Sequence, residues 1–119
     1  MADTSYYQKV FDVTRLVPEG RVTTYGFIAD YLALGSARMV GWALNQCGHD
    51  PKYIPAHRVV NRKGELSGRH QFPSPTAMQE RLEAEGVVIK NDKVVDFDNV
   101  LWHPRELEEA SVQPKRKLK

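Results

Sequence analysis

The spacing of apolar residues along the chain predicts four helices. Apolar side chains recur every three or four residues in stretches separated by turn-forming residues, as in helices with one buried face. The predicted helices span residues 7–17, 25–34, 37–46 and 74–85. Thr4 or Ser5 is suited to cap the first of them. Most of the regular structure is therefore expected to be helical.

The second and third predicted helices are close enough to form a helix-turn-helix. Thr23 or Thr24 is placed to cap the second, Gly35 is a typical stop after it, and Ser36 is a typical cap for the third. Gly41 lies inside the third helix, where glycine costs about 1 kcal/mol relative to alanine. Its presence indicates that another group approaches the helix closely there.

Short β-prone segments complete the predicted fold. Residues 58–60 and 65–66, joined by a turn at 61–64, are expected to form a hairpin that serves as a wing, after a β-prone run at residues 21–23. A second hairpin is expected over 87–97, with its turn at 90–93. The predicted fold class is mainly α with small β hairpins, a winged helix-turn-helix.

The length of 119 residues fits one domain, which we place at residues 1–104. Residues 105–119 are expected to be a C-terminal extension, with a helical turn at 106–110 and a basic tail. With one cysteine, Cys47, no internal disulfide is possible. No apolar run approaches the ~18 residues of a membrane span, and no signal peptide is recognisable at the N-terminus. We expect an intracellular protein without a membrane association.

Charge is informative locally rather than globally. The net charge is +2, but four of the basic residues lie in the tail, at Lys115, Arg116, Lys117 and Lys119. Residues 51–70 carry five basic residues and one acidic residue, a local charge of +4. A basic patch of this kind is typical of phosphate contacts, although a solvated face would have the same composition.

The basic patch surrounds a conformationally restricted segment. Pro55 fixes its own φ and favours extended backbone at Ile54, so the segment is a rigid corner that directs Ala56 and His57 to one place. This corner is the candidate site. Cys47, His49, His57 and His70 lack a standard metal-ligand spacing, so neither a metal nor a cofactor is expected.

Four ordered motifs give the chain a resemblance to a known family. They are Gly-Arg-Val-Thr-Thr-Tyr-Gly at 20–26, Ala-Arg-Met-Val-Gly at 37–41, Pro-Ala-His-Arg-Val at 55–59 and Arg-Leu-Glu-Ala-Glu-Gly at 81–86. Together they resemble the O6-alkylguanine-DNA alkyltransferases over roughly residues 6–89. The resemblance implies that Arg38 enters the base stack through the minor groove, that Tyr25 presses on the phosphate of a flipped nucleotide, and that Ala37 and Gly41 let the helix lie close to DNA.

The chain departs from this family at the reactive position. Ala56 stands where the family has its alkyl-accepting cysteine, and our alignment places Gln79 where the family has the glutamate that partners the histidine. The activating relay is therefore also expected to be incomplete. These departures resemble the alkyltransferase-like proteins, the branch that is not enzymatic. The resemblance implies a monomer that binds O6-alkylguanine in double-stranded DNA, flips it without transferring the alkyl group, and marks it for nucleotide excision repair proteins.

The same resemblance implies a lesion pocket and a location. The residues expected to form the pocket are Tyr25, Pro55, Ala56, His57, Arg69 and Trp102, with Phe97 in the same C-terminal segment as Trp102. Replacing a thiol by a methyl group enlarges such a pocket, so adducts bulkier than methyl are expected to fit. The expected location is the cytoplasm, with the nucleoid, in a bacterium and the nucleus in a eukaryote.

Two other functions remain open at this point. A winged-helix transcription factor would use Arg38 to read a base edge in the major groove, but residues 39–42 lack the long polar side chains of such a helix. An alkyltransferase with another nucleophile would use Cys47 or a water held by His57.

Overall fold

The computed structural model describes residues 5–49 and 52–107. The helices in this part are α1 (Tyr7–Arg15), α2 (Tyr25–Tyr31), α3 (Ala37–Leu44), α4 (Ala77–Ala84) and α5 (Phe97–Val100). The strands are β1 (Thr23–Thr24), β2 (Val59–Val60), β3 (Ile89–Lys90) and β4 (Lys93–Val94). Single turns of 3-10 helix lie at Cys47–His49, Ala56–Arg58 and Arg69–Gln71. The fold is mainly helical with small sheets, as predicted.

Helices α1, α2 and α3 enclose a first core. Its members are Val10, Phe11, Val13, Ile28, Ala29, Val40, Ala43, Leu44, Ile54 and Val59. The predicted cap at the start of α2 is confirmed, because the Thr24 hydroxyl accepts a hydrogen bond from the Phe27 N–H at 2.9 Å. Ser36 is extended before α3, but its side chain makes no capping hydrogen bond. The helix-turn-helix is therefore present, with one of its two predicted caps.

Helix α2 ends earlier than the sequence predicts. It stops at Tyr31 rather than near Leu34, because Ala33 adopts a left-handed conformation with φ of 58°. The chain thus turns two residues before Gly35, the predicted stop, whose φ is not positive. Alanine is an unusual residue for this conformation, which explains why the sequence did not reveal it.

A second core lies between α4 and the β3–β4 hairpin. Val22, Val60, Leu66, Met78, Leu82, Val87, Ile89 and Val94 form it. The predicted second hairpin is confirmed, with antiparallel pairs Ile89↔Val94 and Lys90↔Lys93. Its turn lies at residues 90–93, as predicted, and its central residues Asn91 and Asp92 both have positive φ, 54° and 59°, as a type I′ turn requires.

The predicted first hairpin is wrong in its pairing. Val59–Val60 pairs in parallel with Thr23–Thr24, while Glu65 bridges to Lys93. The turn itself exists, because Asn61 Oδ1 accepts hydrogen bonds from the N–H groups of Lys63 and Glu65 at 2.9 Å. The two ends of the turn pair with different strands, Val60 with Thr24 of β1 and Glu65 with Lys93 of β4. The parallel pair brings the start of α2 beside the turn Ala56–Arg58.

The segment after α5 pairs with the backbone at Val22, just before β1. Trp102 donates its backbone N–H to the Val22 carbonyl at 2.7 Å, and Leu101 forms a bridge with Val22. Residues 105–107 are helical, as predicted for the start of the 106–110 turn, and residues 108–110 lie outside the described part. The domain boundary at 104 stays a prediction. No helix within residues 5–49 and 52–107 has the length and apolarity needed to cross a membrane.

Candidate functional site

A cleft runs from the exposed face of α3 to Ala56 and beyond it. Its outer part is a cavity of about 380 Å³ lined by Tyr25, Ala37, Arg38, Gly41, Trp42, Asn45, Ser67, Gly68 and Gln71. A narrow space of about 30 Å³ follows, between Tyr25, Gly41 and Ala56. The inner part is a cavity of about 620 Å³ lined by Leu44, Asn45, Cys47, Gly48, Lys52, Tyr53, Ile54, Ala56, Gln71, Phe72, Pro73 and Arg81. The proline corner therefore lies where the two cavities meet.

The face of α3 that lines the outer cavity carries two small residues. Ala37 and Gly41, four residues apart, lie on one side of this face, and the opposite side of the helix is buried in the first core. A Cβ built at Gly41 would meet no other group within 4 Å. No atom of the described protein thus requires glycine here. None of the described residues makes the close approach that the sequence predicts at Gly41.

Tyr25 forms the wall between the outer cavity and the narrow space. Burial raises the pKa of its phenol, although a hydrogen bond with the Ser67 side chain acts in the opposite direction. A Cβ at Gly68 would lie 2.7 Å from the Tyr25 hydroxyl, closer than a real contact allows. The loop at residues 67–68 therefore holds the Tyr25 ring by direct contact.

The proline corner holds His57 beneath Ala56. Ala56 is half-buried and lines the cleft, while the His57 side chain is only 2% exposed. His57 Nε2 lies 2.7 Å from Glu85 Oε2, and the Tyr53 hydroxyl is 3.5 Å from His57 Nδ1. The site has the imidazole and its carboxylate partner, with a methyl group in the position that precedes the histidine.

The predicted incomplete relay is wrong. The partner of His57 is Glu85, the residue directly after α4, and not Gln79, which donates to Glu83 at 3.0 Å on the exposed side of the helix. Glu85 lies within the motif at residues 81–86, but sequence spacing alone did not show that the end of α4 reaches the proline corner.

Glu85 is the centre of a buried ionic cluster. Its carboxylate accepts three hydrogen bonds from the Arg58 guanidinium, at 2.7, 3.0 and 3.1 Å, and one from the Gly20 N–H at 3.1 Å. Burial alone would raise the pKa of Glu85, but the hydrogen bonds from Arg58, His57 and Gly20 outweigh it and lower the pKa to about 2. Glu85 is therefore ionised at neutral pH.

Burial has the dominant effect on His57 and lowers its pKa, although Glu85 partly opposes the shift. At neutral pH the imidazole is therefore neutral. Its Nε2–H donates to Glu85, which leaves Nδ1 as an acceptor for the hydroxyl of Tyr53.

Two of the predicted pocket residues do not line the cleft. Arg69 donates to the Leu66 carbonyl at 2.9 Å and lies 3.9 Å from Asp92, facing the β3–β4 turn. Trp102 is 3% exposed and belongs to the back of the molecule. Phe97, from the same segment, packs against Gly64. The extra C-terminal segment therefore packs the fold instead of widening the cleft.

The structure brings the other predicted residues together. Tyr25, Ala37, Arg38 and Gly41 line the outer cavity, Ala56 lines the inner one, and Pro55 and His57 are buried at the corner. Sequence reasoning missed Trp42, Asn45, Gln71 and Phe72. The signal for two of these was available, since Trp42 and Asn45 follow Arg38 and Gly41 by four residues on the same helical face.

The basic patch is weaker than its composition indicates. Arg58 is paired with Glu85, and Arg69 lies near Asp92, so neither provides a free positive charge. Arg62 and Lys63 are exposed in the turn before Gly64, and Arg38 is exposed in the first turn of α3. The positive charge available to a partner is therefore spread between α3 and this turn.

Cys47 is half-buried and lines the inner cavity together with Ala56. Within residues 5–49 and 52–107, no three His, Cys, Asp or Glu side chains come together in a group that could hold a metal ion.

Comparisons with known proteins place this geometry in a family context. The sequence model described as 6-O-methylguanine DNA methyltransferase, DNA binding domain, matches residues 5–87. The chain is 36% identical to alkyltransferase-like protein 1 of Schizosaccharomyces pombe over 104 residues, 83% of this chain and 95% of that protein. It is 34% identical to a DNA base-flipping protein of Escherichia coli, over 85% of this chain and 77% of that one.

A solved structure has the same fold. The crystal structure of S. pombe Atl1, in complex with damaged DNA containing O6-carboxymethylguanine, superposes with a TM-score of 0.72 at 34% identity. The superposition covers 87% of this chain and all of the other.

Proposed function

The chain belongs to the 6-O-methylguanine DNA methyltransferase family, and we propose that it binds O6-alkylguanine in duplex DNA, turns the damaged base outward and leaves the alkyl group in place. The family resemblance read from the four motifs is confirmed. One observation carries the proposal: a cleft leads from the small-residue face of α3 to Ala56, beside a complete His57–Glu85 pair.

Helix α3 is suited to lie against a DNA groove. Ala37 and Gly41 leave its backbone accessible, and the space beside Gly41 is not filled by any described protein atom. Arg38 is exposed on the same face, where its guanidinium can enter the stack as a base leaves it. The relatives named as base-flipping and alkyltransferase-like proteins, and the Atl1 complex with damaged DNA, support a role in DNA binding and base flipping.

Base extrusion requires that the flipped nucleotide be held. Turning a base out of a duplex costs a few kcal/mol, and less for a damaged base that pairs poorly. Tyr25 lies at the entrance of the narrow space, fixed by its contact with Gly68 and its hydrogen bond to Ser67. A nucleotide turned past Tyr25 would enter the cleft with its base directed toward Ala56.

The chemical step has no acceptor at the end of this path. Alkyl transfer needs a thiolate activated by a neighbouring base. His57 and Glu85 have the geometry of the activating pair, but the Ala56 methyl group cannot form a bond to the alkyl carbon. The damaged base is therefore held in the cleft with its alkyl group still attached.

The position of Ala56 also bears on adduct size. It lines both the narrow space and the 620 Å³ inner cavity, and its methyl group is the smallest side chain other than hydrogen. A substituent on guanine O6 that passes Ala56 reaches the inner cavity. We therefore include adducts larger than methyl among the ligands.

A protein that keeps the lesion without repairing it needs a later step that removes the damaged strand. We propose nucleotide excision repair proteins as the downstream partners, and a monomer as the active form. The proposed location is the compartment that holds the DNA, which is the cytoplasm of a bacterium or the nucleus of a eukaryote.

A binding comparison tests lesion recognition directly. Duplexes that differ only in O6-methylguanine or guanine at one position are titrated with the protein at one salt concentration. We expect tighter binding to the methylated duplex. Equal affinity for the two would reject lesion recognition.

Mass spectrometry tests the absence of transfer. After incubation with the methylated duplex, the protein mass is expected to be unchanged. A gain of one methyl group would identify an enzyme, and peptide mapping would show whether Cys47, which lines the inner cavity, accepted it.

Arg38→Ala separates base flipping from transcription-factor binding. If Arg38 fills the gap left by the flipped base, the variant should lose more affinity for the methylated duplex than for one in which the base is already unpaired. Equal losses would indicate an ordinary groove contact.

A further inference from the structure

Trp42 is an exposed aromatic residue on the DNA-facing side of α3 that the proposed function does not use. Its side chain is 51% exposed and lines the outer cavity with Arg38 and Asn45. Within residues 5–49 and 52–107, the Trp42 side chain takes part in no hydrogen bond, ion pair or ring contact. The fold therefore does not account for a tryptophan at this position.

The place of Trp42 on the helix indicates what it can reach. It follows Arg38 by four residues, so the two side chains lie on the same face and about 6 Å apart along the helix axis. Ala37 and Gly41 occupy the neighbouring side of that face. If the backbone at Gly41 enters a groove of a DNA duplex, Arg38 and Trp42 lie along one wall of that groove.

We propose that Trp42 packs against the deoxyribose wall of the duplex beside the extruded nucleotide. The inference rests on the proposed function and adds a second, apolar contact to it. Tryptophan suits this role because it offers a large apolar surface with few rotatable bonds, and aromatic side chains contribute strongly at interfaces. Deoxyribose presents C–H groups in the groove, and these are the same at every nucleotide.

The proposed contact has a specific consequence for the selectivity between damaged and undamaged duplex. Because the sugar does not depend on the base, Trp42 adds affinity for damaged and undamaged duplex alike. Arg38, Tyr25 and the cleft supply the discrimination. Because no phosphate is involved, the contact is also independent of salt.

The two tryptophans allow a direct optical test. The chain contains Trp42 and Trp102 only, and Trp102 is 3% exposed on the back of the molecule. The Trp42→Phe variant retains Trp102 as its one indole, and the Trp102→Phe variant retains Trp42. On addition of unmodified or methylated duplex, the emission of Trp42 should shift to shorter wavelength and lose its quenching by acrylamide.

The emission of the Trp42→Phe variant should not respond to either duplex. If Trp102→Phe fails to fold, the difference between the wild type and Trp42→Phe gives the same information. An unchanged Trp42 signal at saturating DNA would overturn the proposal.

Affinity measurements on the Trp42→Ala variant provide a second test of the proposal. We expect about a tenfold loss of affinity for both duplexes, with the ratio between them and the salt dependence unchanged. Urea unfolding should show a stability close to that of the wild type, because the side chain is half exposed.

The possible failures are distinguishable. A loss confined to the methylated duplex would mean that Trp42 contacts the damaged base, and an unchanged affinity would mean that it contacts no DNA. Either result overturns the deoxyribose contact. If the wild type does not prefer the methylated duplex at all, the lesion function fails instead, whatever the Trp42 signal shows.

Discussion

His57 Nε2 lies 2.7 Å from Glu85 Oε2 in a site where the preceding residue is Ala56. The imidazole is neutral and its tautomer is fixed by the carboxylate, which is the arrangement expected of a base that activates a neighbouring nucleophile. The site therefore has the imidazole and its carboxylate partner, but the side chain before the histidine is a methyl group and not a nucleophile. The proposed absence of alkyl transfer is therefore explained by one side chain, Ala56, within a site whose histidine and carboxylate are in place.

Glu85→Gln should destabilise the protein by about 3 kcal/mol, because the buried Arg58 guanidinium and His57 would lose their ionised partner. The Glu85 side chain is only 10% exposed, so solvent cannot replace the carboxylate. Urea unfolding at neutral pH measures the effect.

Glu83→Gln is the matched control. Glu83 lies in the last turn of α4, two residues before Glu85, and is exposed; among the described residues, its carboxylate accepts a hydrogen bond from Gln79. Its replacement should change the free energy of unfolding by less than about 0.5 kcal/mol. Similar losses in the two variants would show that the ionic cluster does not stabilise the fold.

Acidification should reduce stability in two ranges. The His57 pKa is lowered from 6.5 in the folded protein, so the unfolded chain takes up a proton first and stability falls as the pH drops below about 6.5. The Glu85 pKa is lowered from 4.5 to about 2, so its contribution is present above 4.5 and is lost as the pH falls toward 2. Each proton contributes at most about 1.4 kcal/mol per pH unit.

His57→Gln isolates the upper range. Glutamine keeps a donor for Glu85 but does not titrate, so the variant should lose the fall in stability that the wild type shows as the pH drops below about 6.5. The lower range should remain. Urea unfolding of both proteins at several pH values provides the comparison, and identical profiles would show that His57 is not buried in its neutral form.

Gly41→Ala should stabilise the free protein and weaken DNA binding. An added Cβ meets no group within 4 Å, and alanine is favoured over glycine in a helix by up to about 1 kcal/mol. The same methyl group would separate α3 from a groove floor. Thermal unfolding and duplex titration of one preparation test both parts, and unchanged affinity would place the DNA elsewhere.

Gly68→Ala should displace the Tyr25 ring. The new Cβ would lie 2.7 Å from the Tyr25 hydroxyl, so either the ring or the loop has to move. We expect about a tenfold loss of affinity for the methylated duplex and a loss of about 1–2 kcal/mol in stability. Gly35→Ala is the control, because Gly35 lies outside the cleft, its φ is not positive, and a Cβ there would make only an ordinary contact with Met39 at 3.9 Å. Wild-type affinity in Gly68→Ala would mean that the position of Tyr25 is not critical.

The helices could be predicted because each leaves a local signal. Apolar spacing located α1 to α4, and Thr24 marked the start of α2 by side-chain chemistry that acts over three residues. The end of α2 could not be predicted, since Ala33 takes a left-handed conformation that alanine itself disfavours.

Long-range pairings were the part that the sequence did not reveal. Strand β2 was assigned to its neighbour in sequence, whereas its partner Thr23–Thr24 lies more than thirty residues earlier. For the same reason the partner of His57 was sought at Gln79 of α4, six residues before Glu85. The motifs located the proline corner and α3. The pairing between distant segments depends on how the elements pack, which the motifs do not show.

The hydrogen bonds of Glu85 have a practical consequence for protein engineering. This one carboxylate fastens the loop after α1 at Gly20 and the proline corner at Arg58 to the end of α4. A variant without it would be an ambiguous probe of the site, because any lost DNA binding could come from a destabilised fold. The Ala56 methyl group lines the cleft and makes no hydrogen bonds that hold the fold together. Attempts to reintroduce a reactive group should therefore start at Ala56 and keep Glu85.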